Sequence, residues 1–113
     1  MNTVILSIAD RDAVTRRAVR AFAGKRQGAH ISFANESLLW KLLTAKRWAL
    51  LKAMTGIGPV SIREAARRVE RDVKAVHGDV HALLAAGLLD RDSDGRIHFP
   101  FDAVHVEFVL RAA

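Results

Sequence analysis

The sequence contains no cysteine, which removes disulfides, thiolate metal sites and cysteine nucleophiles together and fits a reducing compartment. No apolar run approaches the roughly 18 residues that a membrane span needs. The start, MNTVILSIADRD, lacks the basic region followed by a long apolar stretch that marks a secretory signal. A soluble cytoplasmic protein without a membrane partner is therefore expected. No internal repeat or low-complexity segment is visible. The glycines of TGIGPVS (residues 55–61) have neither a preceding strand nor a third glycine, so they make no phosphate-binding fingerprint and read as a connection. Ser7, Ser32, Ser37, Ser61 and Ser93 have no evident base partner along the chain. A non-enzyme with no cofactor and no metal is the expectation.

What the chain does have is length for one ordinary domain plus an appendage: 113 residues, 50% of them hydrophobic, enough to bury a core without staples. It also carries 18 Lys and Arg against 12 Asp and Glu, a formal charge of +6. Such a balance favours a polyanionic partner, because each cation placed on a phosphate releases condensed counterions. Ribosomal and membrane-surface proteins share that balance, so the position of the charges decides the matter.

Thr3 to Ala9 is a β-branched run closed by Asp10 and reads as a strand. From Arg11 to Ala23 the period becomes helical, with Val14, Ala18, Ala21 and Phe22 on one face. After the polar break GKRQG, His30 to Ala34 suits a second short strand, and Asn35 caps a helix carrying Leu38, Leu39, Leu42 and Leu43. Thr44 caps the next helix, where Trp48, Leu51 and Met54 recur and Lys46, Arg47 and Lys52 supply polar surface. Ser61 and Glu64 have the spacing of a capping box, so a helix starts there with Ile62, Ala65, Ala66 and Val69 inward. Glu70 and Arg71 make a short turn. Asp72 then caps a helix that buries Val73, Val76, Val80, Leu83 and Leu84 and ends at Gly87. Leu88 to Arg91 and Arg96 to Phe101 read as a hairpin around Asp92-Ser93-Asp94-Gly95, and the alternation of Val104, Val106, Phe108 and Leu110 with polar neighbours reads as a last strand.

A supporting helix, a capped short helix, a tight turn, a longer helix and a hairpin is the order of a winged helix-turn-helix, whose second motif helix enters the major groove. The expected class is α+β, with an N-terminal β-α-β-α extension over residues 1–43, the winged helix-turn-helix over 44–101 and a C-terminal strand over 102–113. With the apolar side of the long helix inward, Lys74, Ala75, His77, Gly78 and His81 project outward as small or donor-bearing positions suited to phosphates and base edges. Arg63, Arg67 and Arg68 on the first motif helix, Arg71 in the turn, and Arg91 and Arg96 beside the hairpin tip extend the basic surface. Wing arginines suit phosphates or a narrow minor groove.

Val60 to Phe101 resembles the winged-helix region of MarR-like and ArsR-like bacterial regulators, through its capped helix, the ending LLAAGLL and the wing DRDSDGR. More narrowly, Ser61 to Arg96 resembles small DNA-binding proteins encoded beside TumE-type toxins, the antitoxin half of a type II toxin-antitoxin pair. The resemblance implies binding to a cognate toxin and to the operator of a shared operon. It places Arg71, Asp72, Lys74, His77 and Asp79 on the recognition-helix signature, and Gly78 departs from the larger polar residue common in that pattern.

Asp79 is turned from the exposed face and suits an ion pair with Arg67 or Arg68. His77 and His81 stand four apart, as two metal ligands would, but without cysteine or a third ligand they read as histidines facing phosphate. Trp40 and Trp48 read as core or interface anchors. The segments outside the motif read as homodimer elements, through strands exchanged between subunits, or as the toxin's seat. Three other readings stand beside the repressor-antitoxin: a repressor without a toxin, a protein-interaction module with little DNA binding, and a non-specific nucleoid or RNA binder.

Overall fold

The computed structural model describes residues 2–8 and 29–107. The helix expected over Arg11 to Ala23 and the end of the last strand, Phe108 to Arg111, lie outside the described residues. Strands β1 (Thr3–Ile8) and β2 (Ala29–Phe33) are followed by helices α1 (Glu36–Leu42), α2 (Ala45–Met54), α3 (Ile62–Arg68) and α4 (Val73–Ala86). Short strands β3 (Asp90–Arg91) and β4 (Ile97–His98) and a final strand β5 (Ala103–Glu107) complete the order. The described residues form two compact units, one from residues 2–8, 29–41 and 103–107 and the other from residues 42–102.

The first unit is a three-stranded sheet in the order β2-β1-β5. Both pairings are parallel, and Leu6 sits opposite Ile31 on one side and Val106 on the other. The C-terminal strand, separate in the sequence reading, is thus the sheet's third strand. Val4 and Leu6 are fully buried along one side of β1, as a strand with neighbours on both edges requires. Ser7, also buried, bonds through Oγ to Nε2 of His30 at 2.6 Å. This pair was invisible in sequence, where Ser7 has no partner. With the hydroxyl enclosed, it satisfies a buried polar group.

The second unit is built around α2, α3 and α4. Leu50, Leu51 and Met54 of α2, Ala65 and Ala66 of α3, and Val76, Val80 and Leu83 of α4 are buried, together with Leu88, Leu89, Ile97 and Phe99. Full burial of each of the larger side chains among these is worth about 1.5–3 kcal/mol, and of an alanine methyl about 0.8 kcal/mol. Alanine at 65 and 66 leaves α3 a thin inner face where it packs on α4. Local chemistry sets the helix ends. The side chains of Asn35, Thr44, Ser61 and Asp72 accept bonds from the backbone N–H groups of Leu38, Arg47, Glu64 and Lys74, each satisfying a donor that the first helical turn leaves open.

Four expectations need correction here. The Ser61–Glu64 box is one-sided, because the Glu64 carboxylate is taken by Arg67 and Arg68. Val73 is 41% exposed, and Leu84 is only partly buried. Trp40 and Trp48 are 54% and 38% exposed, which removes the core half of their core-or-interface expectation and leaves the interface half. The hairpin strands are two residues each rather than four to six, because the N–H groups of Leu88 and Leu89 bond to the Leu83 carbonyl at the end of α4, and only Asp90 and Arg91 pair with His98 and Ile97. The connection at residues 55–61 contributes to this hairpin: Val60 exchanges both backbone hydrogen bonds with Ile97, each at 2.8 Å.

Candidate nucleic-acid interface

The turn between α3 and α4 fixes how the second helix is presented. Arg71 N–H donates to the Ala66 carbonyl and Glu70 N–H to that of Arg67, the paired bonds of a Schellman ending. Glu70 occupies the left-handed position at φ 53°, where glycine is usual. Asp72 then caps α4 one residue after Arg71, so the chain reverses within four residues, 69 to 72. At the far end Gly87, with φ 85°, closes α4 through the same bond pattern to Leu83 and Leu84.

On α4 the residues Lys74, Ala75, His77, Gly78 and His81 are all exposed. Lys74, His77, Gly78 and His81 recur at intervals of three, one and three, which puts them on one stripe of the helix opposite Val76, Val80 and Leu83. A Cβ at Gly78 would meet no atom within 4 Å, so no internal contact requires glycine there. Val73 adds an exposed apolar group in the first turn of α4, missed because helical periodicity alone does not say whether another element covers a given turn.

Asp79 lies on the other side of the helix and ties three elements together. Arg47 Nε of α2 donates to Asp79 Oδ1 at 3.0 Å, and Arg71 Nη2 lies 2.8 Å from Oδ2. Arg47 Nη1 also donates to the Leu42 carbonyl at 2.9 Å. Burial works against the Asp79 charge, but the bonds and attraction from Arg47 and Arg71 outweigh it and hold its carboxyl below the ordinary value. These partners are not the expected ones, since Arg67 and Arg68 lie beside Glu64, three and four residues along their own helix. Arg47 is accordingly part of the framework rather than polar surface. The Arg71 side chain is 20% exposed and its guanidinium lies against the Asp79 carboxylate, so it orients the turn.

Arg63 and Arg67 are exposed on α3, the latter paired with Glu64. In the hairpin, Asp92 Oδ1 accepts from the backbone N–H groups of Asp94 and Arg96, and Gly95 takes φ 81°. This Asx turn holds Arg91 and Arg96 at the base of the tip, both exposed. Arg91 Nη1 donates to the Gly95 carbonyl at 3.3 Å. The order α2, α3, turn, α4 and hairpin, with Val60 pairing to β4, is that of a winged helix-turn-helix. Among the described residues no helix is long and apolar enough to cross a membrane, and no group of three or more His, Asp or Glu is arranged to hold a metal.

The model of the HVO_A0114 family matches residues 42–106. No curated protein matches this sequence. Among solved structures, the chain is similar to the multiple antibiotic-resistance repressor (MarR) from Listeria monocytogenes 4b F2365, with 11% identity and a TM-score of 0.47. The similarity covers 80% of this chain and 64% of that one.

Proposed function

The chain belongs to the HVO_A0114 family, whose model spans its winged helix-turn-helix, and we propose that it is a transcriptional regulator that binds double-stranded operator DNA. The observation that carries this reading is the exposed stripe Lys74, His77, Gly78 and His81, with Ala75 beside it, on the second helix of a tightly capped helix-turn-helix. In this reading α4 lies in the major groove, where lysine and histidine donate to phosphates and base-edge acceptors and the side-chain-free Gly78 allows close approach. Val73 offers a methyl surface of the kind that meets thymine. Arg91 and Arg96 reach phosphates or the minor groove from the wing, and Arg63 and Arg67 add backbone contacts from α3. Arg71 acts from behind, by orienting the turn. Methylation interference tests the groove assignment: interference at guanine N7 within one or two turns of duplex supports it, and interference confined to minor-groove adenine N3 contradicts it.

The finer reading is that the regulator is the antitoxin of a type II pair and represses its own operon as a homodimer. The motif resemblance of Ser61 to Arg96 supports it, and the three-stranded sheet offers the edge strands β2 and β5 to a second copy or to a toxin. Co-expression with the product of the adjacent gene is expected to yield a stable complex; separate elution of the two proteins contradicts the toxin partner.

A further inference from the structure

We propose that His77 and His81 form a chelate site for a borderline-soft divalent cation, of the Zn²⁺ or Ni²⁺ type, on the exposed face of α4. Imidazole is the side chain such ions favour, and two histidines four apart on a helix present both rings to one side. Here the two Nε2 atoms stand 3.0 Å apart, with ring centroids at 4.2 Å and planes inclined by 50°. At that distance the two rings share a hydrogen bond between their Nε2 atoms, which an arriving ion replaces. The Nε2 atoms stand nearer each other than the ring centres do, so both nitrogens turn toward the space between the rings. Two imidazole nitrogens at zinc-bond length and a tetrahedral angle stand about 3.3 Å apart, close to the spacing here, and the rings swing their centres apart by about 1 Å to aim both nitrogens at the ion.

The surroundings leave that space clear. Gly78, next to His77, carries no side chain, and a Cβ built there meets nothing within 4 Å. Asp79 is held on the opposite side by Arg47 and Arg71 and supplies no third ligand. No third His, Asp or Glu completes a group among the described residues, which leaves the remaining coordination positions to water. If α4 faces DNA as proposed above, the ion shares that face, and cation and duplex affinities are linked reciprocally.

Isothermal titration of the full chain with NiCl₂, and separately ZnCl₂, in a non-coordinating buffer without DNA tests the site independently of the DNA reading. Saturable binding of one ion per chain is expected. His77→Ala and His81→Ala should each weaken it roughly a hundredfold, the gain a second pre-placed ligand provides. Both side chains are exposed, so unchanged circular dichroism and melting will show that the variants are folded. Absence of saturable binding by the wild-type chain, or undiminished binding by either variant, overturns the proposal.

Discussion

Gly78 stands in the interior of a 14-residue helix, where glycine destabilises by about 1 kcal/mol relative to alanine. Nothing in the fold fills the space beside it, so Gly78→Ala is expected to raise stability by roughly that amount while weakening duplex binding, because the added methyl stands between helix and groove. Paired chemical denaturation and fluorescence anisotropy measure both effects. A variant that is more stable and binds DNA equally well contradicts the close approach. Asp79 gives the opposite kind of residue-scale prediction. Removing its charge with Asp79→Asn leaves two guanidiniums without their counter-ion and should cost about 1.5–3 kcal/mol at neutral pH. Because the folded carboxyl is held below its ordinary value, its contribution is fully present above about pH 4–5 and is lost as pH falls through the folded value. Urea melts of wild type and variant should therefore converge as the solution is acidified from pH 6 to pH 3. A gap that stays constant or widens on acidification shows that the ion pairs do not stabilise the fold.

At the scale of elements, the legible features were those written in neighbouring residues. Asn35, Thr44, Ser61 and Asp72 cap because an oxygen near the backbone reaches an N–H two or three residues on, and Gly87 ends α4 because it takes positive φ at little cost. Burial of Val76, Val80 and Leu83 followed from helical period. The Asp79 partners did not follow, since Arg47 is 32 residues away in sequence and only packing of α2 near α4 selects it over Arg67 or Arg68. The Val60–Ile97 bridge and the Ser7–His30 bond were hidden for the same reason. Glu70 marks a mismatch between sequence and turn: a left-handed non-glycine residue stores about 1–2 kcal/mol. Glu70→Gly relieves that strain but loosens the unfolded chain, so a net gain of up to about 1 kcal/mol is expected. Thermal denaturation checks this, and a lowered midpoint would show that the Glu70 side chain contributes more than its backbone strain removes.

The molecule as a whole joins a parallel sheet made by both ends of the described chain to a basic winged helix-turn-helix. Operators read by such motifs mirror a two-fold symmetric protein. Light scattering is therefore expected to give twice the 12.5 kDa chain mass, whereas a monomer at micromolar concentration contradicts the homodimer. The central claim is that α4 and the wing read DNA. Its most direct test is the salt dependence of affinity for the duplex upstream of the protein's own gene, beside a scrambled duplex, for wild type, Lys74→Ala and Arg91→Ala. The account predicts tighter binding to the upstream duplex, a steep decline of affinity with salt, and a slope shallower by about one unit for each cation removed. Equal affinity for the two duplexes with slopes unchanged by either substitution would contradict it.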